Sequence, residues 1–163
     1  MILIMANEKT FLAVKPEAFS RNDTAGIVEM LTKLLPDAKC VAMKVYKPSE
    51  ELAKNHYAAL ADKPFFPDLI QSFTSGEILG MVWEGENVVS RARDAMGATN
   101  PEQAAGGTIR KVYGKHIGDN AIHGSDTEPG SAAREVQIHF PDANFAPIQD
   151  PVAKVKELMA SAV

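Results

Sequence analysis

The stretch Thr10-Phe11-Leu12-Ala13-Val14 is the run of sequence from which the fold follows most directly. It is apolar at four of five consecutive positions, a pattern typical of a strand that is buried on both faces of a sheet. Lys15-Pro16 comes next, and because proline cannot donate a ladder hydrogen bond, the strand is predicted to stop there. We therefore expect a central strand with a lysine at its end.

Helix and strand patterns alternate after this strand. Thr24 is predicted to cap a helix, since a threonine oxygen can accept from the free amides of the first turn. Residues 39–46 alternate between apolar and polar side chains and predict a half-buried second strand, with Val41, Met43 and Val45 on one face.

The remaining predicted elements are a helix capped by Ser49, a short helix over 69–73, a strand from Ile78 to Trp83 ended by Glu84-Gly85, a helix from Asn87 to Met96, a strand that carries His123, a helix from Ser131 to Val136 and a helix started by Asp150-Pro151. The run from Gly97 to Gly118 is expected to be a long loop, which in a small domain is usually functional. This order fits an α/β (α+β) fold with a ferredoxin-like β-α-β-β-α-β core. It predicts a four-stranded antiparallel sheet covered by helices on one side.

Composition limits the classes of function. A length of 163 residues with 45% apolar side chains suffices for one compact domain, so residues 1–163 are expected to form a single domain. The formal net charge of −4 provides no overall attraction to nucleic acid or anionic lipid. Any polyanion must therefore be bound by a local cluster of cations.

Cys40 is the one cysteine of the sequence, which excludes an internal disulfide and favours a reducing compartment. Its small apolar neighbours favour a buried hydrophobe over a nucleophile. The apolar start Met1–Met5 is too short for a signal peptide or a membrane span, and is expected either to lengthen the first strand or to precede a start at Met5. No other segment is long and apolar enough to cross a bilayer. We expect a cytoplasmic protein without membrane association.

The candidate chemistry lies in Gly118-Asp119-Asn120-Ala121-Ile122-His123-Gly124-Ser125-Asp126. Histidine is the side chain that is a neutral nucleophile near pH 7 and a cation shortly below it. Gly124 is expected to leave the imidazole face uncrowded and to let the backbone turn sharply. A lone histidine is more often structural or solvated than catalytic, so the rest of the chain must decide its role.

Seven short motifs provide that decision. In order, they are Lys15-Pro16, His56-Tyr57, Lys63-Pro64-Phe65-Phe66, Met81-Val82-Trp83-Glu84-Gly85, Gly97-Ala98-Thr99-Asn100-Pro101, Gly107-Thr108-Ile109-Arg110 and Asn120-Ala121-Ile122-His123-Gly124-Ser125-Asp126. Together they closely resemble the nucleoside diphosphate kinase family from about Asn7 to Phe140. The block from His123 to Asp126 is the most specific of the seven.

The resemblance implies that His123 attacks the γ-phosphate of a nucleoside triphosphate and becomes a phosphohistidine. The phosphoryl group would then pass to a nucleoside diphosphate, which predicts ping-pong kinetics. Two alternatives stay open. One is a catalytically silent nucleotide-binding or regulatory module on the same fold. The other is a histidine phosphatase, in which water takes the phosphoryl group.

The resemblance also implies a set of phosphate contacts. Lys15 would contact the transferring phosphate, and Arg93 and Arg110 would clamp the other phosphates, for which the forked guanidinium is suited. Thr99 would add a hydroxyl donor. Each of the three cations has an ordinary surface role as its alternative.

The resemblance assigns five further residues around the histidine. Tyr57 would support Lys15 through its hydroxyl, or pack within its helix. Phe65 would stack on the base, which tolerates any base because each has a π-face, or pack in the core. Asn120 would bind the sugar hydroxyl region. Ser125 would pair with Glu135 behind the imidazole, where a carboxylate fixes the tautomer of the ring.

The cofactor and partners follow from the same resemblance. No Cys/His cluster or crowd of carboxylates is visible in the sequence, so Mg²⁺ is expected to arrive on the nucleotide phosphates rather than in a protein cage. His56, His116 and His139 are not expected to be the nucleophile. Nucleoside tri- and diphosphates are the expected partners, with a homo-oligomer of unspecified size and no stable nucleic-acid complex.

The chain departs from the family pattern at several places. Glu17-Ala18 stand where the family usually has Asp-Gly, Gly106 replaces a proline, and Lys111-Val112-Tyr113 replace Gly-Asp-Phe. One extra residue lies near Pro129-Gly130. The segment 144–163 resembles nothing in the family, and its amphipathic helix is expected to cover a subunit surface.

Overall fold

The computed structural model describes residues 7–161. The two interpretations of Met1–Met5 lie outside the described residues. None of the helices within 7–161 combines the length and the apolar character needed to cross a membrane.

The described chain forms four strands and eight helices. The strands are β1 (Asn7–Val14), β2 (Lys39–Tyr46), β3 (Ile78–Glu86) and β4 (Ile122–Gly124). The helices are α1 (Pro16–Ser20), α2 (Thr24–Leu34), α3 (Glu50–His56), α4 (Phe66–Phe73), α5 (Val88–Met96), α6 (Ile109–Tyr113), α7 (Ser131–His139) and α8 (Pro151–Ser161), with 3₁₀ turns at Ala58–Leu60 and Pro101–Gln103.

The strands form one antiparallel sheet in the order β2-β3-β1-β4. The predicted four-stranded antiparallel sheet of a ferredoxin-like α+β fold is therefore confirmed. The strand β3 does not end at Glu84-Gly85, because these residues pair with Lys9 and Glu8 of β1, which itself begins at Asn7.

Helices cover both faces of the sheet, so the prediction of helices on one side is wrong. Leu12 and Val14 of β1 belong to an apolar cluster with α2, α5 and α8. Phe11 and Ala13 point the other way, into a second cluster with α3, α4 and α7. A central strand that is apolar on both faces requires this second layer, since an uncovered face would leave Phe11 in water.

The strand β2 contains a bulge that changes its predicted faces. Cys40 pairs with Trp83 and Ala42 with Val82, so Val41 is an extra residue between them. Val41 therefore faces the second cluster, opposite Met43, and the prediction that both share one face is wrong. Cys40 is buried as expected.

Two short helices were not predicted. The helix α1 begins directly after Lys15, with Pro16 in its first turn, where a missing amide costs nothing. The helix α6 lies inside the run from Gly97 to Gly118 that was expected to be a loop.

The predicted helix caps have different outcomes. Thr24 is the first residue of α2 and not its cap, which is Asp23. Ser49, in contrast, caps α3 by accepting from the amide of Leu52 at 3.0 Å.

The C-terminal segment packs on its own chain. The amides of Ala146 and Ile148 donate to the carbonyls of Val41 and Cys40, so the segment lies along the outer edge of β2. The helix α8 then packs on α2, with Val155 fully buried. The edge of the sheet is thereby covered at the start of β2, which protects this part of it from pairing with other chains.

The packing of α8 predicts that Val155→Ala lowers the free energy of unfolding by about 2 kcal/mol, because two buried methyl groups are lost. Lys156→Ala is the matched control, since Lys156 is exposed on the same helix and its truncation should change stability by less than about 0.5 kcal/mol. Urea unfolding of both variants measures the difference. Equal losses would contradict the burial of α8.

Candidate active site around His123

The short ladder between β4 and β1 places the candidate stretch beside the end of the central strand. His123 pairs with Ala13 and Ile122 with Val14, and the Lys15 amide donates to the Ala121 carbonyl at 2.9 Å. Lys15, distant in sequence, thus lies next to the residues that precede His123. Ala121 has a left-handed backbone conformation (φ 73°), which is strained for any residue other than glycine.

The loop before β4 is held by an arginine that the sequence did not single out. Arg21, just after α1, donates to both carboxylate oxygens of Asp119, at 2.8 and 3.1 Å. The same guanidinium also reaches Asp23 and the Tyr113 carbonyl. A two-pronged contact of this kind fixes orientation as well as distance, and so positions the backbone of Asn120.

The His123 ring is held from behind. Its side chain is 16% exposed, and its Nε2 lies 2.8 Å from Oε1 of Glu135. The Ser125 hydroxyl donates to the same oxygen at 2.9 Å and itself accepts from the Phe11 amide. Strand β1 therefore positions the serine, the serine positions the carboxylate, and the carboxylate orients the ring.

The imidazole of His123 is uncharged. Burial, and then the positive charges of Lys15, Arg110 and Arg93, lower its pKa to about 3. Burial raises the pKa of Glu135. The contact between them is thus a neutral Nε2–H donating to the carboxylate, and not a full ion pair. That tautomer leaves the lone pair of Nδ1 free.

Two of the three predicted cations lie at the edge of this site. Lys15 Nζ donates to Oδ1 of Asn120 at 2.8 Å. Burial, and then the charge of Arg110, lower the pKa of Lys15 to about 8. Arg93 donates to the Gly124 carbonyl, directly after the histidine.

Arg110 is the most buried of the three cations. Its terminal nitrogens donate to the carbonyls of Gly97 and Ile122, at 3.1 and 2.8 Å. Burial, and then the charge of Arg93, lower its pKa to about 10. Its Nε–H is buried and has no hydrogen-bond partner among the described residues. An unpaired donor on a buried cation is a favourable contact for an anion.

A cavity of about 260 Å³ opens beside Lys15 and is lined by Tyr57, Phe65, Phe73 and Ile117 among others. Phe65 is 48% exposed, which argues against the core-packing alternative. A larger cavity, of about 780 Å³, lies between Arg91 and Phe145 and contains none of the predicted site residues.

The hydrogen bonds around Lys15 differ from the expected ones. The sequence paired the ammonium with the Tyr57 hydroxyl, whereas the structure shows it on Asn120. Nδ2 of Asn120 donates to the backbone carbonyl of Thr99 at 3.0 Å. Asn120 therefore joins the loop of Thr99 to Lys15 in addition to any contact with a ligand.

Gly124 has a packing role that differs from the expected one. A Cβ on this residue would lie 2.6 Å from the sulfur of Met96 in α5 and 3.1 Å from Leu12. Its φ is not positive, so no sharp turn requires it. The glycine lets α5, which carries Arg93, approach the strand of His123.

The structure also brings together a group of possible metal ligands that the sequence did not indicate. A ring nitrogen of His56, a ring nitrogen of His123 and a carboxylate oxygen of Glu135 all lie within 4.8 Å of one another. His139 also hydrogen-bonds to His56, between Nε2 and Nδ1 at 2.9 Å. These residues come from α3, β4 and α7, so no spacing along the chain indicates the cluster. The one available signal was that His56 and His139 both fall on apolar helix faces.

We predict that the imidazole C–H proton resonances of His123 do not shift between about pH 7.5 and 5, because its lowered pKa keeps it neutral throughout. In the urea-unfolded chain the same ring should titrate near 6.5. Proton NMR in the presence of a chelator measures both, with His123→Gln to assign the signals. A midpoint near 6.5 in the folded protein would show that the ring is solvated.

Known proteins match this chain over most of its length. A family model described as nucleoside diphosphate kinase matches residues 8–145. The nucleoside diphosphate kinase of Natronomonas pharaonis is 45% identical over 137 residues, which are 83% of this chain and 87% of that protein. That of Persephonella marina is 45% identical over 136 residues, 83% of this chain and 95% of that protein.

Solved structures agree with these matches. A halophilic nucleoside diphosphate kinase from Halobacterium salinarum, solved in complex with CDP, superposes with a TM-score of 0.82 and 40% identity, covering 92% of this chain and 98% of that one. The Aquifex aeolicus nucleoside diphosphate kinase superposes with a TM-score of 0.79 and 31% identity, covering 86% and 100%. The resemblance carried by the seven motifs is confirmed: the chain belongs to the nucleoside diphosphate kinase family.

Proposed function

We propose that this protein transfers the γ-phosphate of a nucleoside triphosphate to a nucleoside diphosphate, with His123 as the phosphorylated intermediate. The observation that carries the proposal is an uncharged imidazole whose Nε2 is held by Glu135 while the charges of Lys15, Arg93 and Arg110 act on the same ring. Phosphoryl transfer needs positioning and positive charge more than acid-base chemistry, and this site supplies both.

Each half-reaction balances simply. The lone pair of His123 Nδ1 forms a bond to the γ-phosphorus, and the bond from that phosphorus to the β-phosphate oxygen breaks. The nucleoside diphosphate leaves with the electron pair. The β-phosphate oxygen of a second diphosphate then attacks the phosphohistidine and regenerates the lone pair. Glu135, through Nε2–H, orients the ring and supports the positive charge that develops on it.

The cations are assigned according to their positions. Lys15, directly after β1, would contact the transferring phosphoryl group. Burial lowers its pKa, and a bound anion would stabilise the charged form of the ammonium. The free Nε–H of Arg110 and the guanidinium of Arg93 would hold the other phosphates. The Thr99 hydroxyl would add a further donor to the phosphates. Asn120 links the backbone of Thr99 to the Lys15 ammonium.

The nucleoside would lie in the cavity beside Lys15. Phe65 offers an exposed ring on which a base of any identity can stack. Tyr57 lines the same cavity and would support Lys15 there. Asn120 would contact the sugar hydroxyls while its Oδ1 holds the ammonium. The relative from Halobacterium salinarum, which was solved in complex with CDP, supports a nucleotide as the ligand.

Mg²⁺ is the proposed cofactor, bound to the nucleotide phosphates and not to a protein cage. The groups that face the proposed phosphate position are cations and amides, which fit phosphate oxygens better than a bare divalent ion. When bound, the ion neutralises charge on the phosphate oxygens.

Three further proposals concern the whole chain. Val155 of α8 shares an apolar cluster with Leu12, which supports a single domain that includes the C-terminal extension. Val112 and Ile117 are exposed apolar side chains that a neighbouring copy would cover in a homo-oligomer. The free thiol of Cys40 agrees with a cytoplasmic location.

Phosphoenzyme labelling tests the proposal against its alternatives. With γ-labelled ATP and Mg²⁺, we expect acid-labile label on the protein, and transfer of that label to GDP added after free nucleotide is removed. His123→Ala should abolish labelling, because the nucleophile is lost. His116→Ala is the matched control and should label normally. Absence of label in the native protein would indicate a silent module, and label lost to water would indicate a phosphatase.

The lowered pKa of Lys15 predicts a descending limb in the pH profile. Only the charged ammonium attracts phosphate, so kcat/KM should fall as pH rises through about 8 and approach a tenfold loss per pH unit. Lys15→Arg keeps its charge at this pH and should lack the limb, although it reacts more slowly because its fork fits the position less well. A limb that persists in Lys15→Arg would belong to another group.

A further inference from the structure

Two buried histidines adjoin the pair formed by His123 and Glu135, and the phosphoryl transfer does not use them. The ring of His56 meets the ring of His123 edge-on, with centroids 4.6 Å apart. The ring of His139 stacks on the ring of Phe11, with centroids 3.9 Å apart, and it is hydrogen-bonded to His56. Both histidines are almost completely buried. Such a concentration of imidazoles needs a chemical explanation.

The donor atoms of this group match one kind of ligand. Ligand atoms of His56, His123 and Glu135 lie within 4.8 Å of one another. Because Nδ1 of His56 is engaged with His139, the atom that His56 has left to offer is Nε2. Two imidazoles and one glutamate, with a fourth position for water, are a common donor set for Zn²⁺. In a tetrahedral site these atoms are about 3.3 Å apart, so the ligand atoms would have to approach one another by at most about 1.5 Å.

We propose that His56, His123 and Glu135 form a binding site for a borderline-soft divalent ion such as Zn²⁺ or Co²⁺, and that this ion inhibits the enzyme. Mg²⁺ does not fit the site, because it prefers oxygen ligands in an octahedral arrangement. The ion that supports phosphoryl transfer and the ion that prevents it would therefore be chemically distinct.

The surroundings of the three ligands already contain the supports that metal ligands need. The Ser125 hydroxyl donates to Glu135 at 2.9 Å. The Nδ1–H of a metal-bound His56 would donate to Nε2 of His139, whose own Nδ1 lies 2.6 Å from the Tyr46 hydroxyl. Outer partners of this kind orient the ligands, and their loss typically lowers metal affinity 10- to 100-fold.

Inhibition follows from where the proton goes. Glu135 holds the proton of His123 on Nε2, which leaves the Nδ1 lone pair for phosphorus. An ion that binds Nε2 displaces that proton to Nδ1, and a protonated Nδ1 cannot attack. Binding of the ion needs no redox partner and breaks no covalent bond other than the N–H bond that is re-formed. This consequence rests on the proposed function, whereas the binding of the ion does not.

The nearby positive charges limit how tightly the ion binds. Lys15, Arg93 and Arg110 all act on His123 and repel a second cation. The ion should therefore bind reversibly and be removed by a chelator. An anion such as hydroxide or chloride in the fourth position would offset part of the repulsion.

Cobalt absorption tests the site without any nucleotide. Co²⁺ added alone to the full chain should give the visible absorption of a tetrahedral complex with one ion per chain, and Zn²⁺ should displace it. His56→Gln should weaken binding at least tenfold, and His139→Phe should weaken it 10- to 100-fold. His116→Gln is the matched control, since His116 is exposed and lies outside the cluster. Failure to form the complex, or undiminished binding by His56→Gln, would overturn the proposal.

A second measurement covers the case in which His56→Gln fails to fold. In the native protein, Zn²⁺ should shift the ¹⁵N imidazole resonances of His56 and His123 and leave those of His116 unchanged. Shifts confined to His116 would overturn the proposal.

Activity separates the two claims. Zn²⁺ should slow phosphoenzyme formation in the native protein at least tenfold, a chelator should restore it, and His56→Gln should be insensitive. Cobalt binding without phosphoryl transfer under any condition would remove the proposed function and leave the site. Phosphoryl transfer without cobalt binding would remove the site and leave the function. Binding without inhibition would overturn the inhibitory role.

Discussion

The three-residue ladder between β4 and β1 is the constraint on which the site depends. It pairs Ala13 with His123 and aligns the end of β1 with the residues that precede the histidine. On one side of this ladder, the Ser125 amide donates to the Phe11 carbonyl, while the Ser125 hydroxyl accepts from the Phe11 amide and donates to Glu135. On the other side, Lys15 reaches Asn120. Phe11 and Lys15 are thus brought beside the segment that carries His123, although that segment follows them by more than 100 residues in the chain.

Burial then gives these groups their chemistry. The His123 side chain is only 16% exposed, and the cations around it make a positive charge on the ring unfavourable. The same burial lowers the pKa of Lys15 and leaves one donor of Arg110 unpaired. The site is consequently a neutral nucleophile next to incompletely satisfied cations. An arriving polyphosphate satisfies the cations and leaves the nucleophile free to react.

Much of the fold was predictable because it is encoded in short-range patterns. The apolar run at β1, the alternation of β2 and the Ser49 cap each depend on neighbouring residues. Each lies in the element that it predicted, although β1 begins at Asn7 and not at Thr10. The errors have identifiable physical causes. The bulge at Val41 adds one residue to a strand, which no alternation reveals. The helix α1 begins at a proline that reads equally well as a strand terminator.

By itself, the sequence determined the order of the strands and the longer helices, the family and the identity of the nucleophile candidate, because these depend on local composition and on motifs in a set order. Only the tertiary structure decided that helices cover both faces of the sheet, that Asn120 holds Lys15, and that His56 and His139 lie beside His123. The reason is that α3 and α7 meet over one face of β1. The distance between residues so far apart in the chain is set by how side chains fill that layer.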